Sequence, residues 1–232
     1  FKFKYTEELP ARSMKYYPLI GVIIGLIIVI VDVITRLIFP FSIANILILI
    51  ILIYITGGLH LDGFIDTVDG FFGSSSKEKT EEIMHDSLVG SFGVIAVFLL
   101  LLLKFMLLFE LKGQYRLPVL LLMPSLSRWL VVFVACRYPL TGASKLARMF
   151  NKKLGSGEMM GSSIWIILLA LFLHMVYGMP VGTVLIIFSI CLVITILLAR
   201  HVQDRLGGLT GDIYGTINEI IEVVVLLSFI GL

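Results

Sequence analysis

Of the 232 residues, 59% are hydrophobic and 15% charged, and a mean hydropathy of +1.05 excludes an ordinary water-soluble domain. The formal net charge of +2 offers no basic face for nucleic acid. Cys136 and Cys191 stand in or beside apolar runs, without the Cys/His spacing that holds zinc or an iron–sulfur cluster, so both read as packing residues.

These properties predict an all-α, polytopic membrane bundle. A spanning helix takes about 20 mostly apolar residues, and seven stretches approach that length: about 18–39, 43–56, 92–111, 118–136, 163–179, 180–199 and 217–232. The second and the last are short. Ahead of them, "FKFKYTEELPARSMKYY" is polar and has no small-residue cleavage site after it, so no cleavable signal is expected. The chain opens at Phe1 rather than Met, and residues upstream are expected.

Basic residues orient the bundle. Lys2, Lys4, Arg12, Lys15, Lys77, Lys79, Arg137, Lys145, Arg148, Lys152, Lys153, Arg200 and Arg205 put 13 of the 18 on one side, against Lys112 and Arg116 on the other. The N-terminus and the loops 57–91, 137–162 and 200–216 are therefore expected on the cytoplasmic side of the cell membrane. No internal repeat is visible, which leaves one membrane-embedded domain over residues 1–232.

In the first span, Asp32 and Arg36 stand four apart and are expected to pair. After the second span comes "GGLHLDGFIDTVDG", residues 57–70. Its Asp62, Asp66 and Asp69 stand at i, i+4 and i+7, which is one face of a helix. Three like charges so close raise one another's pKa values unless a cation neutralises them, and Mg²⁺ takes one or two carboxylates plus substrate phosphate oxygens. The competing reading is an acidic, solvated helix face. Gly57, Gly58, Gly63 and Gly70 weigh against it, because they remove bulk around the acids. His60 and His85 read first as hydrogen-bonding residues near the membrane surface, with His60 kept as a substrate-binding candidate. Glu78, Glu81 and Glu82 follow serines and fit a capped, exposed helix. Asp86, in "IMHDSLVGSFG", is a further candidate.

Arg128, in "LMPSLSRWLVVF", is an ionisable group inside a span; such groups usually face a polar interior, here as a site residue or as the buried partner of an acid. In "RYPLTGASKLARMFNKKLGSGE", Lys145 and Arg148 suit phosphate, while Lys152 and Lys153 are explained by topology alone. The last motif, "GGLTGDIYGTINEIIE", has Asp212 in a glycine-rich turn and Glu219 and Glu222 inside an apolar helix. His174 and His201 receive no role.

The segments "GGLHLDGFIDTVDGFF", "EIMHDSLVGSFG", "YPLIGVIIG", "LSRW" and "GGLTGDIYGTINEIIE" resemble the cobalamin synthase family, the adenosylcobinamide-GDP ribazoletransferases. The likeness runs from about residue 16 to the C-terminus and departs at the N-terminus, where the segment expected ahead of "MKYYPLIG" is lacking. It implies attack by the ribose 3′-hydroxyl of α-ribazole, or of its 5′-phosphate, on the β-phosphorus of adenosylcobinamide-GDP, with GMP leaving and Mg²⁺ required. Such a transfer needs counter-charge on the diphosphate and a base for the hydroxyl. On that footing Asp62, Asp66 and Asp69 are the expected Mg²⁺ ligands. Asp66, Asp69 and Asp86 are the catalytic candidates, with the base left open among the carboxylates. Lys145 and Arg148 would stabilise the diphosphate or the leaving GMP, and Arg128, Asp212, Glu219, Glu222 and His60 would complete the substrate-binding wall. The implied partners are the bilayer and the two small-molecule substrates; a second copy of the chain and other late cobalamin-assembly enzymes stay open. Two other readings also stay open: a CDP-alcohol phosphotransferase, whose Asp-Gly-x-x-Ala-Arg start "DGFIDT" does not match, and a cation-coupled transporter, whose sites normally lie near the bilayer midplane.

Overall fold

The computed structural model describes residues 9–141 and 154–231, and its described residues are helical apart from turns, loops and one isolated parallel bridge. A short α1 (Leu9–Ser13) leads into α2 (Tyr17–Ile38), α3 (Phe41–Thr56), α4 (Leu59–Gly73) and α5 (Lys77–Met84). Then follow α6 (Ser91–Glu110), α7 (Arg116–Arg137), α8 (Ser156–Tyr177), α9 (Val181–Leu206) and α10 (Gly211–Gly231). Six of these segments are long and apolar enough to cross a membrane, and α3 with α4 forms a bent pair that makes up to seven.

The bundle is built around α7. That helix carries Arg116, Ser125, Ser127 and Arg128 within its span, and polar groups in a membrane helix turn to the bundle interior; α7 is buried along almost its whole length. α2 reaches it through Gly21 and Gly25, four residues apart. A Cβ on Gly21 would run into the Pro124 carbonyl oxygen, and one on Gly25 would stand 2.9 Å from Leu121 Cα. Small residues at that spacing let two helix backbones touch, which is how helices associate where no hydrophobic driving force separates protein from lipid. The outer helices α8 and α9 instead expose Ile164, Leu171, Leu185 and Leu197, as lipid-facing surfaces do.

Helix ends differ from the sequence expectation where polar turns continue a span. The fifth expected span, α8, starts at Ser156, the sixth, α9, runs on to Leu206, and the last, α10, starts at Gly211. The glycine and proline at 178–180 separate two full-length helices, with Gly178 at φ 65°. Gly57 and Gly58, at φ 62° and 72°, occupy a left-handed region that costs other residues dearly, and they turn the chain by 89°. α3, at 16 residues, covers only about 24 Å. We therefore place α4 outside the spanning segments, lying across one end of the bundle.

At the opposite end the expected Asp32–Arg36 pair is present, but a second and closer partner joins it. Asp32 is fully buried and its main partner is Arg116, whose Nε and Nη2 donate to it at 2.8–3.0 Å; Arg36 is 3.4 Å away and half-exposed. Arg116 Nη2 also donates to Asn45 Oδ1 at 2.6 Å, and Nη1 donates to the Leu108 and Leu111 carbonyls. Arg116 is thus an internal clamp on α2, α3 and α6 rather than a loop charge. Buried charge is tolerated when every lone pair and proton is matched, and a guanidinium with five donors suits a mixed carboxylate, amide and carbonyl set.

The packing predicts a selective response to one added methyl group. Gly21→Ala should lose roughly 1–3 kcal/mol through forced backbone separation, while Gly182→Ala, with open space around it, should be neutral. Thermal unfolding of the two variants in detergent tests this; equal midpoints would show that α2 and α7 are not in direct backbone contact.

Candidate active site

Three segments meet at the end of the bundle where α4 lies. Leu140 bridges to Leu209, with Thr141 N–H donating to the Leu209 carbonyl at 2.7 Å and Leu209 N–H to Pro139 at 2.8 Å. Arg205, over the Phe71 ring at 4.5 Å, donates to the Ser74 carbonyl and to Thr80 Oγ1. The loops after α4, α7 and α9 therefore share one face, as the even number of crossings between them requires.

Two glycine contacts build the site itself. A Cβ on Gly63 would lie 2.8 Å from Asp212 Cα, and one on Gly215 would lie 3.0 Å from His60 Cα. α4 and α10 consequently touch backbone to backbone, and the hydroxyls of Thr67 and Thr216 meet at 2.8 Å within the contact. Residues some 150 positions apart are so brought together: Asp212, in the first turn of α10, joins Asp62 and Asp66 on α4. Asp62 is exposed and Asp66 half-buried.

The third aspartate behaves differently. Asp69 is buried, and its two carboxylate oxygens accept N–H groups from Gly90 and Gly93 at 2.8 Å each. It caps α6 from outside, stabilising the positive end of that helix. The i, i+4, i+7 pattern gives one helix face, but the far end of that face is covered by α6. The geometry thus makes Asp69 an anchor for α6 rather than an open ligand or base. Asp86 is exposed, and its Oδ1 accepts the Leu88 N–H at 3.0 Å in a local turn.

Burial pushes the Asp66 carboxyl up to about 6, aided by the like charges of Asp62, Asp212 and Asp69 and opposed by His85. His85, read from sequence as structural, therefore belongs to the electrostatics of this cluster; its place beside Asp86 in "IMHDSLVG" was the available signal. His60 is pushed down to about 4, by burial first and then by Arg128, so its ring is neutral at pH 7. Its Nε2 lies 3.2 Å from Tyr17 Oη, and its Nδ1 has no partner among the described residues.

A cavity of about 390 Å³ opens beside the carboxylates, with Tyr17, His60, Asp62, Val131, Asp212 and Tyr214 in its lining. Glu219 and Glu222 do not line it. They lie deeper, where Lys104 Nζ donates to both at 2.6 and 2.7 Å, and Arg128 stands 3.7 Å from Glu222. Lys104, a single charge inside "FLLLLLKFMLLF", went unread in the sequence, although a lysine in a span is itself a signal. Its two acids are internal partners instead of cavity wall because a buried ammonium needs them. Arg128 is likewise a buried partner, 5.9 Å from the Tyr17 ring. Lys145 and Arg148 lie outside the described residues.

Among the described residues no three acidic, His or Cys side chains converge on a metal position. The donors that remain open, Asp62 and Asp66, match the one or two carboxylates that Mg²⁺ uses when substrate phosphates complete its shell.

Asp66 and Asp69 should respond oppositely to neutralisation. Because Asp66 titrates higher in the fold than its ordinary 3.8, ionising it costs stability as pH rises through that window. With chelator present, Asp66→Asn should raise the unfolding midpoint at pH 7.5 and leave it unchanged near pH 3. Asp69→Asn should lower the midpoint at pH 7.5 by removing a buried acceptor. A fall of similar size in both variants would contradict these assignments.

The family model for cobalamin-5-phosphate synthase matches residues 2–230. The chain is 37% identical over 231 residues to a protein of Desulforamulus reducens, covering 99% of this chain and 90% of that one. It is 37% identical over 229 residues to one of Shewanella amazonensis, covering 97% and 87%, and 31% identical over 224 residues to one of Clostridioides difficile, covering 93% and 86%. All three relatives are named adenosylcobinamide-GDP ribazoletransferase. No solved structure matches the chain. With a family match that spans both the α4 aspartates and the Asp212 turn, the chain belongs to the cobalamin-5-phosphate synthase family.

Proposed function

We propose that this chain joins adenosylcobinamide-GDP to α-ribazole, or to its 5′-phosphate, and releases GMP. The observation that carries the reading is the α4–α10 contact, which brings Asp62 and Asp212 into the lining of one cavity, with Asp66 one turn further along α4 and within electrostatic reach of both. In the reaction the ribose 3′-oxygen forms a bond to the β-phosphorus, the bond to the GMP oxygen breaks, and GMP leaves with that electron pair. The hydroxyl proton passes to a carboxylate of the rim. Asp212 lines the cavity and is the base we favour, since Asp69 is engaged by two backbone N–H groups and Asp86 by a turn.

Asp62 and Asp66 would hold Mg²⁺. When bound, the ion would supply positive charge to the diphosphate as negative charge grows on the leaving group. The protein's own part is to hold the acceptor, gather the carboxylates, and exclude water from the acceptor's side. The requirement is tested by GMP release from purified protein: EDTA should abolish turnover, and Asp66→Asn should cut it at least tenfold, with Glu81→Gln near wild type. Turnover that survives thorough chelation would remove the metal from the mechanism.

The reading also requires the shared face to be cytoplasmic, where nucleotide-activated substrates are made. Single cysteines at the exposed positions Ser75, Ser156 and Asp204, in a background lacking Cys136 and Cys191, should resist a membrane-impermeant thiol reagent in intact cells and react after lysis. Labelling from outside at any of the three would overturn the orientation.

A further inference from the structure

We propose that the cavity beside Asp62 and Asp212 is the subsite for the acceptor nucleoside, with Tyr17 and Tyr214 as its specificity-determining walls, and that the corrinoid donor stays outside it. This rests on the reaction assigned above.

Size makes the first distinction. Small-molecule sites run from about 300 to 1,000 Å³, and this cavity, at about 390 Å³, is at the lower end. A benzimidazole ribonucleoside fits such a space, whereas a corrin macrocycle carrying its own nucleotide is several times larger. Charge makes the second. Among the described lining residues there is no lysine or arginine, and the acids Asp62 and Asp212 are present. A diphosphate drawn inside would meet like charge, while an uncharged heteroaromatic base would not.

The walls suit that base. Tyr17 from α2 and Tyr214 from α10 bring two aromatic rings to the cavity, and Met14 and Val131 add apolar surface. Aromatic side chains bind bases through the π-face, independently of sequence readout. Tyr17 is held by the His60 ring at 3.2 Å and by the Arg128 guanidinium 5.9 Å from its own ring, so its orientation is fixed before a ligand arrives. Two buried polar atoms of the lining residues, His60 Nδ1 and Tyr214 Oη, have no hydrogen-bond partner among the described residues. They are available to the ring nitrogens or ribose hydroxyls of a nucleoside after small side-chain shifts. With the base between the tyrosines, the ribose faces the carboxylate rim, where the donor's diphosphate docks from the open side.

The test separates the two substrates. In steady state, Tyr17→Leu and Tyr214→Leu, on different helices, should each raise the acceptor KM by about tenfold and leave the donor KM within twofold; Tyr17→Phe, which keeps the ring, should raise the acceptor KM far less. A rise confined to the donor KM, or a fall in kcat with both KM values unchanged, would overturn the subsite. Equilibrium binding of α-ribazole alone to the detergent-purified protein gives a readout that needs no turnover. Weaker binding by both leucine variants supports the proposal, and equal binding by wild type and both variants overturns it. If the unaltered protein released no GMP from the substrate pair, the reaction would fall while the binding comparison still judged the cavity.

Discussion

The active end depends on two helices meeting with nothing but backbone between them. α4 carries Asp62 and Asp66, α10 carries Asp212, and each helix supplies one glycine, Gly63 or Gly215, at the point where the other crosses. Even one added methyl group would push the helices apart. Separation there would move Asp212 away from Asp62 and open the cavity floor at His60. Catalytic groups need positioning to a fraction of an ångström, and a backbone contact is the stiffest way to obtain it, because it has no rotamers to relax. The turn at Gly57 and Gly58 serves the same contact by sending α4 across the bundle end.

The interior solves a different problem, that of charge in a medium that cannot solvate it. Two separate clusters are each nearly neutral: Asp32 with Arg116 at one end, and Lys104 and Arg128 with Glu219 and Glu222 nearer the site. Removing one member of such a set leaves an uncompensated charge, at a cost of about 3–5 kcal/mol. Arg116, at the start of α7, reaches α2, α3 and α6 and so fixes their register at the far end. Lys104 fixes α6 against α10, while Asp69 fixes the start of α6 against α4. α6 is therefore pinned at two heights, which transmits the α4–α10 geometry through the bundle.

Much of this was legible in the sequence, and the failures share a cause. Helix count, the α4 aspartate face and the glycine-rich turn that carries Asp212 follow from periodicity and glycine placement, which are local properties. The partner of a buried charge is not local. Asp32 does pair with Arg36 one turn away, but its closer partner, Arg116, comes from 84 positions on, and that buried guanidinium also satisfies Asn45 and two carbonyls. Lys104 received no reading in its apolar run, and its two glutamates reach it only from α10. Asp69 shares a helix face with Asp62, but which part of that face is covered depends on where α6 begins. In each case the sequence supplied the charged residue and the tertiary packing selected its partner.

The membrane boundary gives the site two solvents within a few ångströms. Asp62 at the rim is exposed and Asp66 beside it half-exposed, so a hard cation bound there as proposed would keep part of its hydration, which it surrenders reluctantly. Below it, Tyr17, Val131 and Tyr214 offer an apolar recess, where burying a flat aromatic ring is favourable and burying a phosphate is not. A reaction between an anionic diphosphate and a hydrophobic nucleoside needs both environments at once. A soluble enzyme must build the apolar half from its own core; here the bundle's interior already provides it, and α4, turned along the interface, forms the hinge between the two.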